Sequence, residues 1–346
     1  MGADWPEFRH DSHNSATGSG APGPTAAVSI DWRRDIPGGI ASSPVVVDGV
    51  VYTGAYDFAL HALSAATGRE RWSYETDDIV HSTPAVDGGR VFFGSHDHGL
   101  YAVDAETGAE AWTLQTGDQV TSCPTVVGDV VYAGSFDGRV YAVGAETGSK
   151  RWSHDVGAPV FSSPAVADGV VYIGGYDHAL HAIDAATGAA AWSFDTGDVV
   201  RSSPTVRDGT VYVGCFDHSI YAVDAHTGEE QWSFETGNHV QSSPAVADGR
   251  VICGSWDGQV YALDVDTGET VWTFDAEAIV VSSPTVADGV VYIGNYHDSL
   301  FAVDGATGEA VWSLDLGNFV YSEPAIAGGR IYVGNGAGTV FAISGG

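Results

Sequence analysis

Short runs of apolar and β-branched residues recur along the whole chain, separated by turns that contain Asp-Gly or Thr-Gly. Between residues 202 and 236, for example, the runs are 204–206, 211–213, 220–223 and 231–234. Short runs bounded by such turns are typical of antiparallel β-strands joined by tight connections. Apolar residues never recur at the spacing of an amphipathic helix. The pattern therefore predicts four short strands in this stretch and an all-β chain.

This pattern repeats every 40 residues without insertions. A Ser-x-Pro sequence marks one position of the repeat and a tryptophan marks another, and both series have eight members. The tryptophans are Trp32, Trp72, Trp112, Trp152, Trp192, Trp232, Trp272 and Trp312. Four antiparallel strands in a repeat of about this length are typical of a propeller blade. The predicted fold class is an all-β, eight-bladed β-propeller of four-stranded antiparallel blades.

The two ends of the repeat array complement each other. The last repeat stops at residues 341–344, where its fourth strand should begin, and residues 29–33 read as a fourth strand without the preceding three. We expect the N-terminal strand to complete the last blade, which closes the ring and removes an exposed sheet edge. The predicted domains are a single propeller, 29–346, and an N-terminal extension, 1–28, that packs on the ring.

Charge is the strongest compositional feature. Acidic residues number 45 and basic residues 13, which gives a formal net charge of −32. For a compact sphere of this size, the charging energy is about 20 kcal/mol at 0.1 M salt and about 8 kcal/mol at 1 M. We therefore predict a protein adapted to high salt, with salt cations around it, which we expect to be a monomer. The same charge excludes nucleic acid and anionic membranes as partners.

Cysteine usage and the N-terminus add little. Cys123, Cys215 and Cys253 lie in different repeats, at no spacing typical of a disulfide framework or a zinc site. No basic region followed by an apolar run opens the chain, so no signal peptide is predicted in it. The localisation stays open: cytoplasmic for the chain as written, extracytoplasmic if a leader has been removed. No stretch is long and apolar enough for membrane insertion by a helix.

The turn before each tryptophan carries a recognisable motif. Residues 102–108, AVDAETG, with Trp112 four positions on, resemble the tryptophan-docking motif of quinoprotein (PQQ-like) propellers, and the motif recurs in most repeats. The leader around Trp5, Phe8 and Asn14 resembles the segments that precede PQQ-like repeats in BamB-like proteins of halophilic archaea. The resemblance implies that each tryptophan packs onto the Thr-Gly turn of an adjacent blade. It also leads us to expect Trp5 and Phe8 to pack on the ring, with residues 15–24 as a linker.

The resemblance does not carry one function across. The PQQ alcohol dehydrogenases of this family have an adjacent cysteine pair, which forms a disulfide beside the quinone, and long insertions that hold calcium and a catalytic aspartate. No two cysteines are neighbours here, and the repeats have no insertions. We therefore predict no cofactor and no dependence on PQQ.

Positions that differ between otherwise matching repeats indicate where a site could be. Before each Ser-x-Pro, a nearly constant Ile or Val lies between two variable residues, which we expect to face the central opening. The loop between the second and third strands carries an aromatic or His in seven repeats, and it should emerge at the same face. The candidate ligand-binding residues at this mouth are His81, Phe161, Arg201, Gln241, Tyr321, Glu323, Tyr56, His96, Tyr176, Trp256 and Tyr296.

Several of these residues allow a purely structural interpretation. The Asp that follows the loop aromatic favours a tight turn, and the repeated Ser suits backbone hydrogen bonding better than catalysis. His96 and His98 are weak metal ligand candidates because no third ligand is fixed by spacing. Arg201 is a rare cation near the axis, which would bind a carboxylate or phosphate. Its alternative is a salt bridge to a loop acid such as Asp198.

Blade eight departs from the others. Glu323 stands where other repeats have mostly Ser, and residues 336–338, Gly-Ala-Gly, stand where others have bulk. We expect the mouth to be open on this side and lined by Glu323, Tyr321 and Asn295.

Three classes of function fit these observations. The leading prediction is a non-catalytic binding or scaffold propeller that recognises a protein, peptide or small polar ligand at its mouth. The alternative is an enzyme, either a quinoprotein oxidoreductase or an activity that uses mouth His and Asp residues. The third is a sensory or structural module of a larger assembly. Whether the chain is an enzyme stays undecided, with non-catalytic binding favoured.

Overall fold

A computed structural model of the chain describes residues 4–18, 23–25 and 27–345. These residues form short strands and turns, arranged as eight antiparallel sheets of four strands, of which one gains a fifth. The inner strands of neighbouring sheets contact one another from blade one to blade seven, and those of the first and last blades also meet. Blades seven and eight are joined at the same level by a hydrogen bond from Thr285 Oγ1 to the Pro324 carbonyl. The eight-bladed β-propeller predicted from the repeat is confirmed. No helix of a length and apolarity that could cross a membrane occurs within these residues.

Each blade runs from an inner strand at the axis to an outer strand at the rim. The strands are β1 (Thr17–Gly18) and β2 (Val28–Asp35) of the N-terminal region, then β3 to β6 in blade one (Val45–Val47, Val50–Gly54, Ala59–Ser64, Glu70–Glu75), β7 to β10 in blade two (Ala85–Asp87, Arg90–Gly94, Gly99–Asp104, Glu110–Gln115), β11 to β14 in blade three (Thr125–Val127, Val130–Gly134, Arg139–Gly144, Lys150–Asp155), and β15 to β18 in blade four (Ala165–Ala167, Val170–Gly174, Ala179–Asp184, Ala190–Asp195).

The second half of the ring follows the same plan. Its strands are β19 to β22 in blade five (Thr205–Arg207, Thr210–Gly214, Ser219–Asp224, Glu230–Glu235), β23 to β26 in blade six (Ala245–Ala247, Arg250–Gly254, Gln259–Asp264, Thr270–Asp275), β27 to β30 in blade seven (Thr285–Ala287, Val290–Gly294, Ser299–Asp304, Ala310–Asp315), and β31 to β33 in blade eight (Ala325–Ala327, Arg330–Gly334, Thr339–Gly345).

The N-terminal strand closes the ring as expected. β2 pairs antiparallel with β33 and supplies the outer strand of blade eight, with Ser29 opposite Ser344 and Arg33 opposite Phe341. A register shift next to Trp32 matches the shift next to the tryptophan in the other blades, for example beside Ala142 in blade three. First and last residues thus share one sheet, and β33 is paired on both sides and is not left as an exposed edge strand.

The tryptophans join neighbouring blades. Trp72 Nε1 donates a hydrogen bond to the Ala105 carbonyl at 3.1 Å, and its ring lies against Gly108 of the same turn. Gly108 has a φ of +71°, and a Cβ there would lie 2.7 Å from the ring, so only glycine suits this turn. Trp312 is the exception to the turn contact, because it donates to the Pro24 carbonyl in the N-terminal segment.

The core lies between the blades. The constant Ile or Val before each Ser-x-Pro is buried completely or nearly so, as with Val80, Val160 and Val240. The repeated Ser holds the backbone, as the structural interpretation expects: Ser122, Ser162 and their equivalents in several blades accept a hydrogen bond from the glycine N–H that ends the second strand. With the strand entries held on one side, the alternating variable residues face the axis.

Candidate functional site

The eight inner strands surround a central channel with two different ends. We call the end at which the loops between the second and third strands lie the mouth, and the opposite end the floor. The inner strand of each blade begins near the mouth and runs towards the floor. The residue directly before every Ser-x-Pro lines the channel in all eight blades: Ala41, His81, Thr121, Phe161, Arg201, Gln241, Val281 and Tyr321. The space that they line, counted together with its open end, is about 630 Å³. The variable positions identified from the repeat therefore meet at the axis.

Above this channel the mouth widens into a vestibule on the side of blades six, seven, eight and one. Its volume, counted together with the open side, is about 850 Å³, and it is lined mainly by Tyr56, Trp256, Ile279, Tyr296, Phe319 and Tyr321. The Tyr296 and Phe319 rings stack at 4.8 Å, and the Phe319 and Tyr321 rings at 5.6 Å. Tyr296 is 50% exposed, so this wall of rings contacts solvent. The vestibule offers apolar and aromatic surface directly above the polar channel.

Arg201 lies among aromatic rings. Its guanidinium carbon is 4.3 Å from the centroid of Phe161, 5.6 Å from that of Phe216 and 5.9 Å from that of Tyr176. Its Nε atom is buried and has no hydrogen-bond partner among the described residues. Asp198, the expected salt-bridge partner, lies instead near His178, with its Oδ1 4.0 Å from Nε2. The salt-bridge alternative for Arg201 is therefore wrong, and ring faces take the place of a counterion.

Two histidines stack beside this cation. The rings of His81 and His96 are 5.8 Å apart and nearly parallel, and the His81 ring also meets Phe161 edge-on. Burial, together with the nearby His96 and Arg201, lowers the pKa of His81 to about 4. Burial also lowers the pKa of His96, although Asp78 and Asp97 oppose that shift. At neutral pH the channel wall thus holds one arginine cation beside neutral imidazoles.

His98 does not join His96 in a metal site. Its backbone has a φ of +74°, and glycine occupies the equivalent turn position in blade three, where Gly138 has a φ of +83°. Its side chain points to Asp118, 3.8 Å away. Across the described ranges, no group of three or more His, Cys, Asp or Glu residues is placed to hold a metal ion.

The Asp after the loop aromatic is structural, as its turn position suggests. Asp137 Oδ2 accepts hydrogen bonds from the Tyr141 hydroxyl and from the Gly117 N–H, and Asp217 and Asp257 repeat the arrangement. These carboxylates hold the loop in its conformation through hydrogen bonds. Of the two loop residues, the aromatic one faces the mouth and the Asp does not.

The floor is covered by the N-terminal extension. Backbone groups of the extension accept hydrogen bonds from the second residue of the inner strand in five blades, and the Glu7 side chain does so in a sixth. The bonded strand residues are Val46, Val86, Val126, Val166, Val206 and Val286. Trp5 pairs with Val46 in both directions and is 2% exposed, and Phe8 lines the bottom of the channel. β1 adds to blade seven through parallel pairing with β27.

Arg9 lies at the centre of the floor and is fully buried. It donates to the Asn14 and Ser243 carbonyls at 3.0 and 2.9 Å, to the Pro244 carbonyl, and to Glu323 Oε1 at 2.7 Å. These bonds reach blades six and eight, the two blades whose inner strands donate no such hydrogen bond to the described part of the extension, either to its backbone or to Glu7. The predicted linker, 15–24, falls partly on residues 19–22, outside the described residues, while Ala16 within it is buried.

The placement of Glu323 corrects the expectation for blade eight. Glu323 is 4% exposed and bonds Arg9 at the floor, so it does not line an open mouth. Asn295 is also buried, where its side chain holds the loop backbone through Ala276 and Ser299. The space expected at Gly336 is filled, because the Phe319 ring lies against it and a Cβ would come within 2.0 Å. Of the three expected lining residues, only Tyr321 faces the mouth.

Sequence reasoning missed Arg9. The residue lies in the extension, which has no counterpart in the repeat, and no internal comparison could mark it. The available signal was Glu323 itself, since an acid at a position that is buried in six of the other seven blades requires a cation or hydrogen-bond donor. Burial raises the pKa of Glu323, and the Arg9 guanidinium opposes that rise.

Comparison with known proteins places the chain among PQQ-like propellers. The family model described as "Outer membrane protein assembly factor BamB" matches residues 26–162, 137–255, 177–284 and 257–346. A search of the curated proteins finds no match.

Solved structures share the fold at low sequence identity. BamB from Moraxella catarrhalis superposes with a TM-score of 0.80 at 20% identity, over 92% of this chain and 98% of that chain. Quinohemoprotein alcohol dehydrogenase from Comamonas testosteroni gives a TM-score of 0.83 at 17% identity, over 98% and 80%. A europium-containing methanol dehydrogenase gives 0.84 at 16% identity, over 99% and 98%. Because the family model covers nearly the whole ring, the chain belongs to the BamB-type family of PQQ-like repeat propellers.

Proposed function

We propose that this protein is a non-catalytic binding propeller, adapted to high salt, that recognises a protein, peptide or small polar ligand at its mouth. The observation that carries the proposal is Arg201, a cation held between aromatic rings on the channel wall whose Nε has no partner in the described part of the chain. A buried donor left without an acceptor costs about 1–3 kcal/mol. A ligand that supplies the acceptor would recover that free energy on binding.

The shape of the channel supports the same function. The extension covers the floor, so a ligand reaches the channel wall from the mouth. There it meets aromatic side chains first, and such residues contribute strongly to binding at little entropic cost. The matching family model bears the name of an assembly factor, which suits a protein-binding role.

The competing function is that of a quinoprotein oxidoreductase, whose fold this chain shares. The residues at the channel do not fit the cofactor as the family resemblance implies it. Cys123, Cys215 and Cys253 are separate, buried thiols. The described residues also offer no carboxylate cluster for calcium. We therefore assign no redox step to this channel. Added PQQ and calcium should leave the absorption spectrum of the purified protein the sum of its components, and a shifted quinone band that survives dialysis would contradict this assignment.

A thermal-shift screen of peptides and small polar compounds tests the proposed function. A ligand present at about 100 times its Kd stabilises the folded state by about 2.7 kcal/mol. Ligands that stabilise the wild type should lose that effect in a Trp256→Ala, Tyr296→Ala double variant of the vestibule. A matched rim variant, Val271→Ala, which alters an exposed side chain of blade six, should keep it. Ligands that stabilise the vestibule variant as well as the wild type would show that binding occurs elsewhere.

A further inference from the structure

The buried polar atoms of the mouth that have no partner share one property. Arg201 Nε and Trp256 Nε1 carry hydrogens and can only donate, Thr121 Oγ1 can donate, and His96 Nε2 does so in one tautomer. None of the four has a hydrogen-bond partner within the described residues. Phe216 lies between two of them, 5.6 Å from the Arg201 guanidinium and, edge-on, 5.6 Å from the Trp256 ring. The mouth therefore offers unpaired donors to a ligand, two of which, on Arg201 and Trp256, cannot accept.

The charge around Arg201 is also unbalanced. The chain has a formal net charge of −32, yet no carboxylate in the described residues forms an ion pair with Arg201. Rings cover the faces of the guanidinium, which leaves its edge for hydrogen bonding. A planar guanidinium edge matches a carboxylate through two parallel hydrogen bonds. Since His81 and His96 remain neutral at pH 7, a single negative charge balances the site.

The closed floor restricts how a chain molecule can enter. A polymer cannot pass through a channel whose far end is covered by Phe8 and Arg9, so a chain that enters from the mouth must end or turn back there, and a chain end needs the least room. A peptide N-terminus carries an ammonium group, which Arg201 repels. A peptide C-terminus carries the carboxylate that the donors require. The vestibule above, with Ile279, Tyr296 and Phe319 in its wall, then receives the last side chains of the peptide.

We propose that the mouth binds the C-terminal carboxylate of a peptide or protein with an apolar last residue, with Arg201 as the carboxylate-binding residue. This inference rests on the proposed binding function and names its ligand class. Gln241 and Thr121 lie on the same wall and supply further donors to the carboxylate. Trp256 and Tyr296 contact the apolar side chain.

Calorimetric titration with paired synthetic peptides tests the proposal. The probes are acetyl-Gly-Gly-Ala-X, with X each of Val, Leu, Ile, Met, Phe, Tyr and Trp, as free acids and as C-terminal amides, in 2 M KCl. At least one free acid should bind, and its amide should bind about tenfold to a hundredfold more weakly, because a charge-assisted pair is lost. Arg201→Gln should weaken the acid to the level of the amide. Arg207→Gln, which removes an exposed arginine near Asp208, should change neither.

The other outcomes overturn the proposal in distinguishable ways. If acid and amide bind equally, or if the Arg201→Gln variant binds the acid as the wild type does, recognition of the carboxylate by Arg201 is excluded. Binding at the mouth is still supported in that case if Tyr296→Ala weakens the binding of both acid and amide. Phenylacetate that binds as tightly as the best peptide shows a small-acid site. If no free acid binds, a peptide C-terminus is excluded as the ligand. The thermal-shift screen then decides separately whether the mouth binds any ligand.

Discussion

Two arginines near the axis of this propeller have opposite surroundings. Arg9 at the floor is fully buried and donates hydrogen bonds to Glu323 and three backbone carbonyls. Arg201 on the channel wall lies against Phe161 and leaves a buried nitrogen without a partner in the described residues. The fold supplies hydrogen-bond acceptors to the Arg9 guanidinium, whereas it leaves Nε of Arg201 without one in the described residues. The difference indicates that the floor stabilises the ring, whereas the mouth is built to receive an acceptor from outside.

The strongest test of this contrast is Arg9→Met. The substitution leaves Glu323 buried without its cation, and breaking a buried pair in this way costs about 3–5 kcal/mol of unfolding free energy. Chemical denaturation should show a loss of that size, and Glu323→Gln added to Arg9→Met should recover part of it. A loss below about 1 kcal/mol would mean that the floor does not support the ring.

Salt separates the buried floor from the acidic surface. Raising KCl from 0.1 to 2 M should increase the unfolding free energy on the order of 3 kcal/mol, because screening weakens the repulsion among surface carboxylates. The cost of Arg9→Met should stay the same at both concentrations, since a buried pair is screened much less. Equal melting temperatures at the two salt concentrations would contradict the predicted adaptation to high salt.

Glu7 makes the floor sensitive to a rise in pH. Burial is the main cause that raises its pKa to about 8; the nearby Asp11 and Asp87 contribute to the rise, and a hydrogen bond from the Val126 N–H opposes it. Because the folded form prefers the protonated carboxyl, the contribution of Glu7 to stability is fully present below about pH 4.5 and is lost as pH rises towards 8. Glu7→Gln should remove this loss, on the order of 4 kcal/mol at pH 8, in denaturation series across pH. Glu106→Gln, at an exposed position, is the control and should leave the slope unchanged.

His81 makes the mouth sensitive to acid. Its lowered pKa of about 4 means that the unfolded chain takes up a proton first, so stability is lost as pH falls from about 6.5 to 4. The groups that face it are His96 and Arg201, and both disfavour the charged form. His81→Gln should lessen the loss by about 2 kcal/mol at pH 4.5. An unchanged acid limb of the stability curve would show that His81 titrates normally.

Arg201→Met is expected to change stability least. The variant loses a cation–π contact worth about 0.5–1 kcal/mol and also removes a buried donor without a partner, so the two effects oppose each other. The unfolding free energy should stay within about 1 kcal/mol of the wild type, while ligand binding is lost. A large destabilisation would place Arg201 with Arg9 as a structural residue.

The repeat made much of the mouth predictable. Residues such as His81, Gln241 and Tyr321 could be selected because they vary where the neighbouring Ile or Val does not, and the structure places them together on the channel wall. That inference needs only the alternation of a strand and the symmetry of a ring. The prediction that Glu323 lines the mouth was wrong. A departure from the repeat shows that a residue differs from its equivalents, but it does not show which residue lies opposite it in the fold.

The sequence by itself determined the number of blades, the strand that closes them and the positions that face the axis, since each follows from a local period of 40 residues repeated eight times. Only the tertiary structure decided which end of the channel is covered and which arginine has a partner. Arg9 and Glu323 are 314 positions apart, and they meet because the extension crosses the floor. Contacts made outside the repeat have no period, so they appear only once the chain is folded in space.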